Sequence, residues 1–360
     1  MNPDGKMLRD SLKNLNEEYK RAVKENGLSE KTEVFRRFYL SDIANQHDVV
    51  VNSEIFQNSK ECATSIIQQC PLQGGLVSFF AYHIKNKRME KTPLVINNQN
   101  IGSKISGLNY DLLVTTSMSD GDYFDLEFQT RSIFSSYNSL LRDNGCSLLK
   151  NTVRTWIYVR DIDNHYHGMV KARREFFARN GLTKDTRFVA STGIEGKSKK
   201  PNALVSMDAL SFTRLDDKQI VRMEAKDHLS PTYEYGVTFE RGTRIDWGDR
   251  SHLHISGTAS IDEHGKVVRI FDVENQTKRI IENIKALLKP HKATMRDMAY
   301  LVVYVRNIND MSKVKNILHE FKYDKLPIFY LEGAVCRPEW LVEIEGLAII
   351  KSKSKWPVFL

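Results

Sequence analysis

An internal repeat limits what this chain can fold into, because a repeated segment implies two related modules in tandem. Residues 158–163, YVRDID, recur as residues 304–309, YVRNIN. Further along, residues 201–209, PNALVSMDA, are similar to residues 338–346, PEWLVEIEG. Apolar positions coincide in both pairs, so we expect two copies of one unit.

The order of predicted elements also repeats, because strand-like segments alternate with amphipathic helical segments in both halves. In the first half, the predicted elements are strands 76–83 and 112–116, helix 130–141, strand 152–160, helix 166–179, and strands 187–193 and 203–212. In the second half, they are strand 252–261, helix 273–288 with Asp272 as its N-cap, strand 298–305, helix 311–321, and strands 328–333 and 340–350. The pattern predicts an α/β (α+β) fold made of two tandem sheet-plus-helices units.

A helical arm is predicted ahead of these units. Leu8, Leu12 and Leu15 recur at three- and four-residue steps, and a second helix is predicted over residues 33–44. We therefore divide the chain into three parts: a helical N-terminal arm, a degenerate first unit and a catalytic second unit. Their predicted bounds are residues 1–45, 46–215 and 216–360.

Composition excludes several classes of protein. The chain of 360 residues lacks the run of about 18 apolar residues that a membrane span needs, and its polar first residues lead us to expect no secretory signal. Its four cysteines have no metal-ligand spacing, which favours reduced thiols in the cytoplasm and no metal site. The net charge of +8 comes without an aromatic and basic strand of the nucleic-acid-binding type. We therefore expect no nucleic-acid or membrane partner, and a small carboxylic acid as the ligand.

The last strand carries the candidate chemistry. Glu343 and Glu345 alternate with aliphatic residues and so share one face of the strand. Such a pattern is typical of a solvated sheet face. However, Cys336 and Arg337 lie just upstream, and the first copy has Ser206 where the second has Glu343. A carboxylic acid beside an apolar wall has a raised pKa and can act as a general acid.

Residues 335–346, VCRPEWLVEIEG, resemble the C-terminal signature of chorismatases, a branch of the Rid (YjgF, endoribonuclease L-PSP-like) superfamily. Residues 255–260, ISGTAS, are similar to a strand of that family, and residues 235–241 resemble its YG…FxR segment. Arg154, Trp156, Tyr158 and Arg173 match its amino-terminal half. The resemblance spans about residues 150–350 and implies two Rid/chorismate-mutase-like units.

The resemblance implies an enzyme of aromatic acid metabolism, a lyase or hydrolase, that cleaves the enolpyruvyl ether of chorismate or a related acid. Glu343 would protonate the enolpyruvyl methylene carbon, and Cys336 would line the ring pocket. The products would be pyruvate and a cyclohexadiene or hydroxybenzoate acid, with no cofactor. The implied substrate-binding residues are Arg241, Arg154, Arg173, Tyr158, Phe239, Gly257, Ala259 and Arg337. The family also implies a trimer-type homo-oligomer, unless the internal duplication supplies those interfaces within one chain.

Ile157 stands where chorismatases have asparagine, which leaves a related acid or lost activity open. Two alternative functions also stay open. Rid-type imine and enamine deaminases carry an arginine a few residues before the last strand, but Glu339 occupies that position here and Arg337 is out of register. A non-catalytic small-molecule-binding protein of the same fold is the second alternative. It would be favoured if Glu343 were paired with Arg or Lys on an open surface.

Overall fold

The structure, a computed structural model, describes residues 7–86, 88–323 and 325–360. The helices are α1 (Met7–Glu25), α2 (Ile43–Val51), α3 (Glu54–Gln57), α4 (Leu126–Asp143), α5 (Leu148–Asn151), α6 (Ile162–Arg179), α7 (Val273–Leu288) and α8 (Met311–Glu320). The strands are β1 (Glu33–Leu40), β2 (Ala63–Gln68), β3 (Val77–His83), β4 (Glu90–Ile96), β5 (Gln99–Ser106), β6 (Asp111–Ser119), β7 (Thr152–Val159), β8 (Ala190–Glu195), β9 (Val205–Phe212), β10 (Ile220–Met223), β11 (Gly242–Asp246), β12 (Arg250–Thr258), β13 (Met298–Val305), β14 (Ile328–Glu332) and β15 (Val342–Lys351). Among the described helices, none has both the length and the apolar character needed to cross a lipid bilayer.

Two six-stranded sheets have the same construction, which confirms the tandem repeat. The first unit has the strand order β4-β5-β6-β9-β7-β8, and the second has β10-β11-β12-β15-β13-β14. In both, the last two strands run parallel and the other neighbours antiparallel. Tyr158 pairs with Ser206 in the first sheet as Tyr304 pairs with Glu343 in the second. The register therefore places Ser206 and Glu343 at equivalent positions.

The N-terminal region forms a three-stranded sheet that repeats part of the same unit. In this sheet β1 runs parallel to β2 and antiparallel to β3, as β7 does with β8 and β9. One helix precedes β1, and helices α2 and α3 join β1 to β2. The three sheets surround a central chamber of about 30 Å³, to which β1, β7 and β13 contribute Phe35, Trp156 and Tyr300. Three sheets of one chain thus enclose a common centre.

The predicted second helix over residues 33–44 is wrong, since its first eight residues form β1. All eight are buried, because both faces of β1 pack against other parts of the protein. In a strand covered on both faces, side-chain burial carries no period of two, and apolar residues can mimic helical spacing. Arg37, one of the eight, donates from Nη2 to Asp208 at 2.7 Å. The first predicted helix is confirmed as α1, and the division into three domains stays a prediction.

Most other predicted elements are confirmed, including α7 with Asp272 accepting from the Asn275 backbone N–H at 3.0 Å. The sequence pattern missed β2, β4, β5, β10 and β11. Strands β4 and β10 lie at sheet edges, so few of their side chains are buried and apolar alternation is weak.

The three sheets meet in pairs. Phe80 of the three-stranded sheet packs against Phe329 of the second unit, and two further junctions involve the first unit. At the first junction, Arg37 of the three-stranded sheet binds Asp208 of the first unit. At the second junction, β8 of the first unit packs against the second unit, where Ala190 bridges to Glu240 and Ile194 bridges to Val335. Strand β15 pairs with β12 and β13 on its two edges, and the side chains on both of its faces are buried over its first seven residues. Its acids, Glu343 and Glu345, are therefore buried rather than solvated.

Candidate active site

A cavity of about 290 Å³ lies at the second junction, between α6 of the first unit and β12 and β15 of the second. Both units contribute to its walls. Eight of the ten residues predicted from the sequence line it: Glu343, Cys336, Arg241, Arg173, Phe239, Gly257, Ala259 and Arg337. The fold therefore brings together residues that lie up to 170 positions apart in the chain, from Arg173 to Glu343 (343 − 173).

The carboxyl group of Glu343 faces this cavity from β15 and is only 4% exposed. Within the described residues it forms no hydrogen bond or ion pair. Burial, together with the nearby charge of Glu345, raises the pKa of Glu343 to about 8, although Arg154 and Arg241 oppose the rise. Glu343 is therefore mainly a neutral acid at neutral pH, which is the form that can donate a proton.

Glu345, two residues further along the strand, is held by hydrogen bonds. Its carboxylate accepts from Arg154 Nη2 at 2.6 Å and from Trp156 Nε1 at 2.8 Å, and also from the Thr192 hydroxyl. Charge-assisted hydrogen bonds of this kind stabilise the ionised form. Two carboxyl groups on one strand face thus have different environments: one is engaged and the other is unengaged.

Three guanidinium groups are fixed against aromatic rings in the cavity wall. The Phe239 ring lies between Arg173, 5.9 Å from its centroid, and Arg241, 5.6 Å from it. Arg241 also donates from Nε and Nη2 to the carbonyl oxygen of Ser230, at 3.1 and 2.9 Å. These contacts hold the cations in place before any anion binds, which lowers the entropy cost of binding.

The same arrangement continues on the other side of the cavity. The Tyr235 ring lies 5.4 Å from the Arg241 guanidinium and 5.1 Å from that of Arg337. Arg337 also lies 4.7 Å from the Trp340 ring centroid. The three arginines thus form one row with the aromatic rings between them. Such a row suits a ligand with more than one carboxylate, because a guanidinium binds carboxylate through two parallel hydrogen bonds.

Arg173 differs from the other two arginines because it is only 2% exposed and its Nε and Nη2 have no hydrogen-bond partner within the described residues. Burial lowers the pKa of Arg173, while the nearby Tyr166 opposes that shift. A buried guanidinium without a counter-ion is costly unless a ligand supplies the missing charge. Arg173 is therefore the cation in the cavity with the greatest need of an anion.

Cys336 lines the cavity as a neutral thiol. Burial and the adjacent Glu343 raise the pKa of Cys336 to about 12. Because the thiolate is the nucleophilic form, this side chain is a wall of the pocket rather than a nucleophile at neutral pH.

Two predicted residues, Arg154 and Tyr158, are not among the residues that line the cavity, and their contact with a ligand stays a prediction. Both belong to β7, and both are buried in contacts between units. The Arg154 guanidinium binds Glu345 beneath the cavity floor. Tyr158 lies at the first junction, where the guanidinium of Arg37 is 5.7 Å from its ring centroid.

Sequence reasoning missed one whole wall, formed by a face of α6. The residues of this face, besides Arg173, are Tyr166, His167, Val170, Lys171 and Arg174. They recur at three- and four-residue steps, so the spacing itself was a readable signal. Basic residues on a helix are most often exposed to solvent, and for that reason this face of α6 was not predicted to line a site.

Within the part of the chain that the structure describes, no group of three His, Cys, Asp or Glu side chains is arranged to hold a metal ion.

Comparison with known proteins gives matches over the second unit. A family model described as Endoribonuclease L-PSP matches residues 247–350. A RutC family protein of Pyrococcus abyssi is 33% identical over 98 residues, which are 27% of this chain and 76% of the relative. A RutC family protein of Pyrococcus horikoshii is 31% identical over 98 residues, which are 27% of this chain and 77% of the relative.

Comparison with solved structures gives a match over most of the chain. The fold is similar to a crystal structure of chorismatase with a TM-score of 0.65, covering 88% of this chain and 93% of that chain. The two sequences are 19% identical, so the similarity is one of fold. It confirms the architecture of two tandem units.

Proposed function

The chain belongs to the Rid (YjgF, endoribonuclease L-PSP) family, and we propose that it is a chorismatase-like enzyme. Its substrate is chorismate or a related acid with an enolpyruvyl ether, and pyruvate is one product. The observation that carries this proposal is the pairing of an unengaged, protonated Glu343 with a row of arginines in one cavity. An acid-catalysed reaction of a multiply charged anion needs both features.

The first step is protonation. The carboxyl proton of Glu343 moves to the methylene carbon of the enolpyruvyl group, which becomes a methyl group. The adjacent carbon then carries an oxocarbenium charge, and the Glu343 carboxylate left behind stabilises that charge at close range. Burial favours this step, because it holds the acid in its neutral form before the substrate reacts.

The second step is capture of the oxocarbenium centre. Water adds its oxygen to that carbon and returns a proton to the Glu343 carboxylate. The resulting hemiketal collapses: its hydroxyl loses a proton and becomes the ketone of pyruvate, the bond to the ring oxygen breaks, and the ring oxygen takes up that proton to give a cyclohexadiene alcohol. Capture by a ring hydroxyl instead of water leads to the hydroxybenzoate product. The arginine row holds the two carboxylates of the substrate during both steps.

The test is pyruvate release from chorismate, measured in parallel for the wild type, Glu343→Gln and Glu339→Gln. Glu339 is exposed just upstream of β15, so its variant makes the same chemical change outside the cavity. We expect release by the wild type and Glu339→Gln, and loss of at least about 100-fold in Glu343→Gln. Undiminished pyruvate release by Glu343→Gln would rule out the proposed mechanism.

Imine hydrolysis is the second candidate, because Arg337 lines the cavity although it is out of register in the sequence. The same three proteins are therefore assayed with an imino acid that is generated in situ. Ammonia release without pyruvate release would favour the deaminase. Binding of chorismate without either product would favour a non-catalytic binding protein.

A further inference from the structure

The hydroxyl group of Thr192 lies at the centre of a hydrogen-bond network beneath Glu343. It accepts from Arg154 Nη2 at 2.6 Å and from the Gly257 backbone N–H at 2.9 Å. It donates its own proton to the Glu345 carboxylate. A hydroxyl has one donor and two acceptor sites, so the hydrogen-bonding capacity of the Thr192 hydroxyl is fully satisfied. Its orientation depends on the carboxyl oxygen of Glu345 that accepts its proton.

Gly257 connects this network to the candidate acid. A Cβ built on Gly257 would lie 2.3 Å from Oε1 of Glu343 and 3.1 Å from Cγ2 of Thr192. The backbone at Gly257 is therefore in contact with both side chains. A continuous path of contacts runs from Glu345 through Thr192 and Gly257 to Glu343, although these residues come from three different strands.

Charge provides a second connection. Glu343 and Glu345 lie on the same face of β15, about 7 Å apart along the strand. Glu345 is 1% exposed, so water screens its charge weakly. From the other elements around Glu343, Arg154 on β7 and Arg241 before β11 act in the opposite direction.

The cavity that Glu343 faces also has basic side chains, namely Lys171, Arg173 and Arg174 of α6 and Arg337. Two further ionisable neighbours are neutral groups. Burial keeps the pKa values of the Cys336 thiol and the Tyr304 phenol high, and Tyr304 lies opposite Glu343 on β13. Of the charged groups named here, Glu345 is the one that raises the pKa of Glu343.

The first junction has the same architecture without the acid. Asp208 pairs with Trp156 in the first sheet as Glu345 pairs with Val302 in the second, and Ser206 takes the place of Glu343. Asp208 accepts from Ser65 Oγ at 3.1 Å, as Glu345 accepts from the Thr192 hydroxyl. Both junctions thus have a buried carboxylate bound to a neighbouring hydroxyl.

We infer that Glu345 and Thr192 are positioning residues for the candidate acid. Thr192 holds Gly257 against the Glu343 carboxyl, and Glu345 fixes the Thr192 hydroxyl and places a negative charge beside the acid. The inference deepens the proposed function and rests on it for its catalytic meaning. The equivalent pair at the first junction, Asp208 and Ser65, joins the sheets and has no acid to position.

The test compares Glu345→Gln and Thr192→Val with matched changes at the first junction, Asp208→Asn and Ser65→Ala. The primary readout is the ¹³C NMR titration of the Glu343 carboxyl, assigned by its loss in Glu343→Gln. Removing the Glu345 charge makes ionisation of Glu343 easier, so its titration midpoint falls by at least about one pH unit, a tenfold change. The midpoint stays at its wild-type value in both first-junction variants.

Thr192→Val keeps the charge and removes the hydroxyl, so it tests positioning separately. We expect about a tenfold fall in kcat for pyruvate release with little change in KM, and recovery in Thr192→Ser. An unchanged midpoint in Glu345→Gln, or an equal shift in Asp208→Asn, overturns the charge role. Wild-type kcat in Thr192→Val overturns the positioning role. If the wild type releases no pyruvate, the proposed function fails while the NMR midpoints still decide the charge role.

Discussion

Gly257 lies so close to Glu343 that a Cβ at position 257 would come within 2.3 Å of the Glu343 Oε1 atom. Such a separation is far below van der Waals contact, so any larger residue at 257 forces the carboxyl group to move. The absence of a side chain at Gly257 of β12 therefore allows the Glu343 carboxyl group to occupy its observed position.

Gly257→Ala is accordingly expected to lower pyruvate release by about 100-fold, because a displacement of about 1 Å of a catalytic group has this order of effect. Steady-state kinetics measure the loss, and substrate binding by calorimetry shows whether the cavity still accepts the ligand. Activity equal to that of the wild type would mean that Glu343 does not act from its observed position.

The pH dependence of the reaction follows from the state of Glu343. The acid must be protonated to act, and burial raises its pKa to about 8. We therefore expect kcat/KM to be level below about pH 8 and to fall tenfold per pH unit above it. An alkaline limb near pH 4 to 5, where an ordinary glutamate titrates, would contradict this assignment.

Arg173→Met is expected to separate stability from binding. Since Arg173 is buried and its Nε and Nη2 are unpartnered, its removal should raise the melting temperature of the ligand-free protein. The same change should weaken substrate binding about 30-fold, equivalent to about 2 kcal/mol. Differential scanning fluorimetry and calorimetric titration measure the two effects.

Arg187→Met is the matched control for that variant. The Arg187 guanidinium donates to three backbone carbonyls: those of Phe188 at 3.0 Å, Leu149 at 3.2 Å and Thr152 at 2.8 Å. Its loss should lower the melting temperature and leave affinity for the substrate unchanged. If both variants destabilise the protein equally, Arg173 is a structural residue.

Two histidines in the central chamber should make the fold sensitive to acid. His252 and His254 occupy on β12 the places that Leu112 and Val114 occupy on β6, and the Nε2 atom of each lacks a hydrogen-bond partner within the described residues. Burial lowers the pKa of His252 to about 3 and that of His254 well below its usual value.

The unfolded chain binds protons at these histidines at about pH 6.5, whereas the folded chain does not. Stability is therefore complete above about pH 6.5 and declines as the pH falls from there toward 3. The double variant His252→Leu/His254→Val should have a higher melting temperature at pH 5 and a flatter profile between pH 8 and 5. His264→Gln, at a side chain 73% exposed, should leave the profile unchanged. Parallel profiles for the double variant and wild type would refute this explanation.

The sequence by itself determined the repeat and most of the site. Aligned segments identified two units and singled out Glu343 against Ser206, and the strand register confirms that these residues are equivalent. Residues such as Arg241 and Gly257 could be predicted because they belong to short contiguous motifs. A motif of this kind is recognised from residues that are neighbours along the chain, so it needs no knowledge of the tertiary structure.

The tertiary structure alone decided three other things. It showed that residues 33–40 form the middle strand of a third sheet. The sequence pattern could not predict this strand, because both of its faces are buried and its apolar residues do not alternate. It excluded Arg154 and Tyr158 from the cavity and added a wall from α6. It also separated Glu343 from Glu345, two acids that look alike in the sequence. Their environments differ because the partners of Glu345 come from another unit, some 150 to 190 residues away, and only the packing of the units brings them together.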